Sequence, residues 1–178
     1  GERALCFWLS QQTEVSLNHP NEQIKREASD YVSLMTPVVK SLFTDLAMEI
    51  TSDAMQIHGG YGFTKDQGIE QLYRDNRITP IYEGTNSVQA ADLVFRKLSN
   101  KNGNIIEKFL EMIKAECETK NEKVKNFTKQ LNYYLDILSK FTDWINDKTK
   151  IEKDDVSAAA NDYLKTLGFV SLAYTWVK

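Results

Sequence analysis

The sequence predicts an all-α fold, an up-and-down helical bundle with an appended helical extension. The 178 residues include only 8 glycines and 3 prolines, and five of those glycines lie between Gly59 and Gly84. Elsewhere apolar residues recur at intervals of three and four, which is the spacing of one helix face. We therefore expect long helices interrupted by one irregular segment in the middle of the chain.

The N-terminal part predicts a helix from about Glu2 to Leu17 and a second helix from about Glu22. Pro37 fits two alternatives, the first position of a new helix or a kink inside one longer helix. An apolar stripe follows and stops before the paired glycines at Gly59, which are typical of a helix end. Its members are Leu42, Leu46, Ile50, Ala54 and Ile57.

Residues 59–79 are predicted to be irregular apart from a short helical stretch at about 69–75. A further helix is expected to begin just after Gly84. Its apolar residues predict the buried face, which consists of Val88, Ala91, Phe95 and Leu98.

Residues 99–104 have the composition of a linker, so we expect a domain boundary there, with one unit at 1–98 and another at 99–178. Ile105, Phe109 and Ile113 predict a short helix, and a last helix is expected from Val156 onwards. Between these two lies a heptad-like seam typical of a bundle helix. Its members are Val124, Phe127, Leu131, Tyr134, Leu138, Phe141 and Ile145. The last helix is expected to bury Ala159, Tyr163, Leu167, Val170 and Tyr174.

Composition excludes several classes of function. The net charge of −3 argues against a surface that binds nucleic acid or an anionic membrane. Cys6, expected in the core, and Cys117, expected to be incidental, are too few for a disulfide framework, and no residues have metal-ligand spacing. No apolar run reaches the roughly 20 residues of a membrane span. We expect a protein of a reducing, cytoplasmic compartment.

The stretch Q-I-H-G-G-Y-G-F at 56–63 departs from what a plain bundle needs. Its glycines permit a sharp turn and the close approach of a ligand to the backbone. It lacks the Lys-Ser/Thr of a phosphate-binding P-loop, and it follows a helix, unlike the dinucleotide fingerprint. From local chemistry alone, a structural turn and a binding turn both remain open.

Two further stretches are unusual, L-Y-R-D-N-R-I at 72–78 and I-Y-E-G-T-N at 81–86. Arg74 and Arg77 suit an anion or simple pairing with nearby acids. Glu83 stands between an aromatic residue and a glycine just before a helix. Its carboxylate suits either a helix cap or, if partly desolvated, a general base that works near neutral pH.

Taken in this order and at these separations, the three stretches resemble the C-terminal domain of the acyl-CoA dehydrogenases. The resemblance covers about residues 1–98. Residues 99–178 are similar to the helical segment appended in some bacterial members, among them fatty acyl-CoA and 3-methylmercaptopropionyl-CoA dehydrogenases.

The resemblance implies a role for each matching residue. Glu83 corresponds to the base that removes the α proton of an acyl-CoA thioester while the β hydrogen leaves as hydride to FAD, and its N–H to one half of the oxyanion hole. Tyr82 and Gly84 correspond to walls of the acyl slot. The implied FAD contacts are Gln56, Ile57, His58, Gly59, Gly60, Thr85, Asn86 and Ser87. Many relatives have glutamine at the position of Ser87, and Arg74 with Asp75 corresponds to a structural pair.

The resemblance also implies what the chain lacks, because the family's N-terminal helical domain and its flavin-cradling β-domain are not in this sequence. We expect the 178 residues alone to be inactive. The implied partners are the acyl-CoA substrate, an electron-accepting flavoprotein and further copies of the same chain. The alternative is a non-catalytic helical assembly module or a remnant of a split dehydrogenase gene.

Overall fold

The computed structural model describes residues 1–98, 105–118, 122–149 and 151–177. This part of the chain is helical and contains no strand, which confirms the predicted fold class. The helices are α1 (Glu2–Asn18), α2 (Glu22–Ile57), α3 (Gly60–Phe63), α4 (Ile69–Asn76), α5 (Asn86–Asp92), α6 (Ile105–Cys117), α7 (Lys125–Lys148) and α8 (Lys153–Val177). The predicted boundary at 99–104 lies outside the described residues.

Helix α2 is the central element, and it contacts α1, α4, α5, α6 and α8. Asn21 is its N-cap, and the Asn21 side chain accepts hydrogen bonds from the N–H groups of Gln23 and Ile24 at 2.8 and 3.3 Å. The helix continues through Pro37, so the alternative of one longer helix is the correct one. Its buried residues all lie between Ala28 and Leu42, and beyond Leu42 none is buried.

The core is continuous from the N-terminal helices to the C-terminal ones. Trp8 of α1 lies with its ring centroid 5.8 Å from Tyr31 of α2, 5.8 Å from Phe109 of α6 and 6.5 Å from Tyr174 of α8. Four helices therefore meet in one aromatic cluster, two from each side of residues 99–104. Such tilted ring pairs add to the free energy of burying the rings.

Helix α8 approaches α2 closely at a glycine. A Cβ placed on Gly168 would lie 2.7 Å from Cδ2 of Leu42 and 3.3 Å from Cγ1 of Val38. Leu42 and Val38 are both buried, so neither moves freely out of the way. The absence of a side chain at this position lets the two helices approach each other closely.

Two predicted buried faces are only partly correct. Around α5 the buried residues are Ala90 in the helix and Leu93 and Val94 just after it. Of the predicted face, Phe95 and Leu98 pack partly buried against the core, whereas Val88 is exposed. A π-helical turn, Leu93–Lys97, directly follows α5.

In α7 the predicted seam is only partly correct, because Phe127 and Tyr134 are exposed. The face turned inward passes one residue to the side. Its members are Thr128, Leu131, Leu135, Leu138, Thr142 and Ile145. Thr142 is tolerated there because its hydroxyl hydrogen-bonds the Leu138 carbonyl and, at 2.8 Å, the Tyr163 hydroxyl.

The core position expected for Cys6 is wrong. Cys6 is exposed on α1, and Cys117 is buried near the end of α6, where burial raises the pKa of its thiol. No helix in the described ranges combines the length and the apolar character needed to cross a membrane. Nor do three or more metal-ligating side chains cluster among those residues.

Candidate active site

The segment between α4 and α5 folds into tight turns that present Glu83. The Ile78 carbonyl accepts hydrogen bonds from the N–H groups of Ile81 and Tyr82 at 3.0 and 3.1 Å. The Asn86 N–H then donates to the Pro80 carbonyl at 3.2 Å. These bonds reverse the chain twice within a few residues, so that the Glu83–Gly84 pair projects from the turn.

Glu83 and Gly84 both have left-handed backbone conformations, with φ angles of 56° and 80°. Among the described residues Glu83 is the only non-glycine with positive φ. A residue with a Cβ pays roughly 1–2 kcal/mol for that conformation. Strain of this kind persists only where the surrounding contacts hold it, and it is common at functional sites.

Both carbonyls of this pair are held by side chains. The Glu83 carbonyl accepts from Nε2 of Gln89 at 2.8 Å, and the Gly84 carbonyl accepts from Nζ of Lys40 at 2.7 Å. The N–H of Glu83, by contrast, donates no hydrogen bond within the described residues. The turn therefore leaves backbone donors available beside the carboxylate, because the N–H groups of Gly84 and Thr85 likewise have no partner among the described residues.

The N-cap of α5 is Thr85, not Glu83. The Thr85 hydroxyl accepts from the Val88 N–H at 3.4 Å. The Glu83 side chain lies two residues before the cap and is exposed. The described residues thus leave the carboxylate accessible, and any surface that desolvates it must come from elsewhere.

Asn86 fastens the turn to the middle of α2. Its Nδ2 donates to Oδ1 of Asp45 at 2.7 Å, to Oγ1 of Thr44 at 3.0 Å and to the Ser41 carbonyl at 3.2 Å. Its Oδ1 accepts from Lys40 at 2.8 Å and from Thr44 at 3.3 Å. The side-chain amide is therefore fully engaged with α2, and the backbone N–H of Asn86 is engaged with the Pro80 carbonyl.

Sequence reasoning did not identify Lys40, Thr44 and Asp45. They lie some forty residues before the turn and belong to no local motif. The available signal is that Lys40 and Thr44 are four residues apart and so share one helix face, directly after a buried apolar run. Without the fold, nothing indicates which turn that face contacts.

The segment 56–60 forms the exposed end of α2. The Gly59 N–H donates to the Gln56 carbonyl at 3.1 Å, and Nδ1 of His58 lies 2.8 Å from the Ala54 carbonyl. Gly59 has a φ of 58°, and an added Cβ at Gly59 or Gly60 would meet nothing within 4 Å. This backbone is open to close approach from outside.

Gly62 packs tightly against the C-terminal end of α2. It is buried, and an added Cβ would lie 2.5 Å from the Met55 carbonyl oxygen and 2.9 Å from the His58 Cβ. No side chain fits there without displacing backbone. The glycines of this motif therefore serve two purposes, an open outer surface and a tight inner contact.

The predicted site residues form two separate groups. Tyr82 to Ser87 lie beside the middle of α2, where Asn86 contacts Thr44. Gln56 lies twelve residues further along the same helix, which corresponds to roughly 18 Å. Within this chain the two predicted cofactor-contacting groups are therefore not adjacent. Ser87 faces α8, because its hydroxyl accepts from Asn161 at 3.5 Å.

The surface around both groups is apolar and exposed. Ile57 is 84% exposed and Phe63 76% exposed. The other members are Ile50, Tyr61, Leu72, Tyr73, Ile78, Ile81, Tyr82 and Val88. These ten large apolar side chains are exposed within one stretch of the sequence, residues 50–88, and exposed apolar residues concentrated in this way are typical of an interaction surface.

The sequence matches two family models. Residues 17–98 match the C-terminal domain of acyl-CoA dehydrogenase, and residues 109–178 match the family described as acetyl-CoA dehydrogenase C-terminal like. Together these matches include most of the chain, and with the all-helical fold they define a C-terminal helical region of this class of enzyme. The chain belongs to the acyl-CoA dehydrogenase family, as the three motifs predict.

Curated relatives agree with this assignment. The 3-methylmercaptopropionyl-CoA dehydrogenase of Ruegeria pomeroyi is 44% identical over 115 residues, which is 65% of this chain and 19% of that protein. A butyryl-CoA dehydrogenase of Syntrophomonas wolfei is 32% identical over 111 residues, 62% of this chain and 18% of that protein. The chain thus spans about a fifth of the length of these relatives.

A solved structure shares the fold. Caenorhabditis elegans ACDH-11, crystallised in complex with C11-CoA, superimposes with a TM-score of 0.79 and 23% identity, over 99% of this chain and 30% of that one. The coverage extends from α1 to α8, so the C-terminal helices belong to the shared architecture.

Proposed function

We propose that this chain is the C-terminal part of an FAD-dependent acyl-CoA dehydrogenase in which Glu83 is the proton-abstracting base. The reaction removes two hydrogens across Cα–Cβ of an acyl-CoA thioester. The observation that supports the proposal is the strained, side-chain-anchored turn that presents the Glu83 carboxylate next to an unused backbone N–H, in a chain of this family.

The chemistry requires two groups at one place. A thioester α proton is weakly acidic, so its removal needs a base and a donor that stabilises the charge developing on the carbonyl oxygen. The carboxylate of Glu83 accepts the proton, and the N–H of Glu83 donates to the oxygen. Tyr82 and Gly84 flank the acyl chain. Bound FAD supplies the acceptor for the β hydrogen, which leaves with its electron pair.

The residues assigned to the cofactor fit it as one wall of a larger site. Gly59 and Gly60 offer backbone with no atom within 4 Å of an added Cβ, which suits the close approach of a large polar ligand. At Thr85 to Ser87 the side chains contact α2, α5 and α8, and the Asn86 N–H bonds the Pro80 carbonyl, so the N–H groups of Thr85 and Ser87 are the parts assigned to the flavin. The roughly 18 Å between the groups is consistent with two flavins, the one at 56–60 held mainly by a partner subunit.

The test is Glu83→Gln in the complete dehydrogenase that contains this chain. This change keeps the size and polarity of the side chain but removes the base, so kcat is expected to fall by roughly 10³-fold or more. Glu111→Gln is the matched control, since Glu111 is exposed on α6, away from the turn. Wild-type kcat in Glu83→Gln would overturn the proposal.

The isolated 178 residues are expected to show no turnover with any acyl-CoA, because about four fifths of the length of the curated relatives lies outside the chain. In the complete enzyme, an electron-accepting flavoprotein reoxidises the cofactor and the chain assembles into homo-oligomers. Reduction of added FAD by the purified chain and an acyl-CoA would contradict this part of the proposal.

The alternative is a non-catalytic assembly module. The exposed apolar surface around residues 50–88 favours it, since such a surface promotes association. In that case the chain self-associates at micromolar concentration without FAD. A monomeric mass by light scattering would exclude the alternative.

A further inference from the structure

We propose that Lys40 is a positioning residue that holds Glu83 in its working conformation. This inference rests on the proposed function, because it concerns how the proposed base is aimed. Nothing in the three motifs includes Lys40, which lies on α2, more than forty residues before the turn. Its role follows from the contacts that its ammonium group makes.

The Lys40 ammonium joins two parts of the turn. Nζ donates to the Gly84 carbonyl at 2.7 Å and to Oδ1 of Asn86 at 2.8 Å. Both are short, charge-assisted hydrogen bonds, which are stronger than bonds between neutral groups. Lys40 is half-buried, so solvent competes for these bonds less than at an open surface.

These bonds act on the backbone at the position where strain has to be held. The Gly84 carbonyl belongs to the peptide unit that directly follows the two left-handed residues Glu83 and Gly84, so fixing it holds the C-terminal end of this pair against α2. Gln89 holds the Glu83 carbonyl from the other side at 2.8 Å. The turn is therefore clamped by α2 through Lys40 and by α5 through Gln89.

The remaining contacts at Asn86 keep this clamp in register with α2. Thr44 and Asp45 hold the Asn86 side chain at 3.0 and 2.7 Å, so that Oδ1 faces Lys40. Removing Lys40 leaves Asn86 attached but releases the Gly84 carbonyl. The predicted effect is a more mobile Glu83 on a turn that is still anchored, and not loss of the fold.

The first experiment uses hydrogen exchange on the 178-residue chain. Lys40→Met keeps the apolar stem but removes the donors, so the amide of Asn86, which bonds the Pro80 carbonyl, is expected to exchange at least about 10-fold faster. Lys25→Met is the matched control on the same helix, because Lys25 pairs only locally, with Glu22 at 3.4 Å. Unchanged exchange at Asn86 in Lys40→Met would overturn the inference.

The second experiment measures kcat and KM in the complete dehydrogenase. A displacement of about 1 Å in a reacting group costs as much as 10²-fold in rate, so Lys40→Met is expected to lower kcat by roughly 10- to 100-fold per folded active site. KM should change far less, and an α-deuterated acyl-CoA should show a larger isotope effect as proton transfer becomes slower. Lys40→Arg keeps the cationic donors and is expected to recover most of kcat.

The outcomes distinguish the positioning role of Lys40 from the proposed role of Glu83 as the base. Wild-type kcat in Glu83→Gln refutes the proposed base, whatever Lys40 does. Loss of kcat in Glu83→Gln with wild-type kcat in Lys40→Met refutes the positioning role alone. If Lys40→Met does not fold, the shorter Lys40→Gln takes its place, and wild-type kcat in that variant refutes the role equally.

Discussion

The contact between Gly168 and Leu42 leads to a prediction in which the sign of one mutation depends on another. In Gly168→Ala the new Cβ would lie 2.7 Å from Cδ2 of Leu42, which is 2% exposed. Overpacking a core costs about 1–3 kcal/mol. Alanine in place of glycine inside a helix returns about 1 kcal/mol. The net expectation is a loss of about 1 kcal/mol in the free energy of unfolding.

The same mutation should stabilise a chain that already carries Leu42→Ala. That change alone leaves a cavity and costs about 2–5 kcal/mol. It also removes the Cδ2 atom that the new Cβ would meet at 2.7 Å. The 3.3 Å contact with Cγ1 of Val38 needs a shift of only a few tenths of an ångström, so the helix-propensity gain of about 1 kcal/mol dominates. The coupling energy between the two positions is then about 2 kcal/mol, well above the error of additivity.

Urea denaturation followed by circular dichroism at equal protein concentration measures all four proteins of this cycle, with the m-value checked for constancy. In thermal scans, 1 kcal/mol corresponds to a shift of about 2–4 °C for a domain of this size. If Gly168→Ala has the same effect in the wild type and in Leu42→Ala, the close approach of α8 to α2 does not limit packing and the reasoning is wrong.

Two further predictions concern the turn after α2 and the aromatic cluster. In Gly62→Ala the new Cβ would lie 2.5 Å from the Met55 carbonyl, so we expect amide exchange to show that turn destabilised by about 1–3 kcal/mol. Gly60→Ala has open space and should change the stability of the turn by less than about 0.5 kcal/mol. Equal effects of the two mutations would contradict this prediction. Burial, with a contribution from Glu27, raises the pKa of Tyr31 from 10.0 to about 12. The unfolded chain therefore loses this proton at lower pH than the folded chain does. The free energy of unfolding is unaffected by ionisation of Tyr31 below pH 10 and falls as the pH rises towards 12. Relative to Tyr31→Phe, the wild type should lose about 1.4 kcal/mol of unfolding free energy by pH 11. If urea denaturation gives the same pH dependence of this free energy for both proteins from about pH 8 to 11, the prediction is wrong.

The local parts of the fold could be predicted from the sequence because they depend on local signals. The turn at residues 19–21 and the glycines at 59–60 fix the ends of α1 and α2, and Glu83 stands out within its motif. These features need only neighbours in sequence, such as a capping side chain or a residue that permits positive φ.

The rest depends on which helices contact one another. The inward face of α7 passes through Thr128 and Thr142 because α6 and α8 pack on that side, and threonine gives no apolar signal. Around α5 the prediction missed Ala90, Leu93 and Val94, because apolar residues occur on several faces of this stretch and periodicity alone does not choose between them. Lys40 was missed because its partners lie 44 and 46 residues away.

The left-handed conformation of Glu83 has a consequence for selection on this position. If stability alone decided which amino acid is kept, glycine would be favoured, since it adopts φ near 56° without the roughly 1–2 kcal/mol borne by a residue with a Cβ. A glutamate therefore survives there only where its carboxylate confers an advantage larger than that deficit. If the carboxylate is the proposed base, position 83 would drift towards glycine or asparagine in a lineage without the reaction, and the protein would gain stability as it did so.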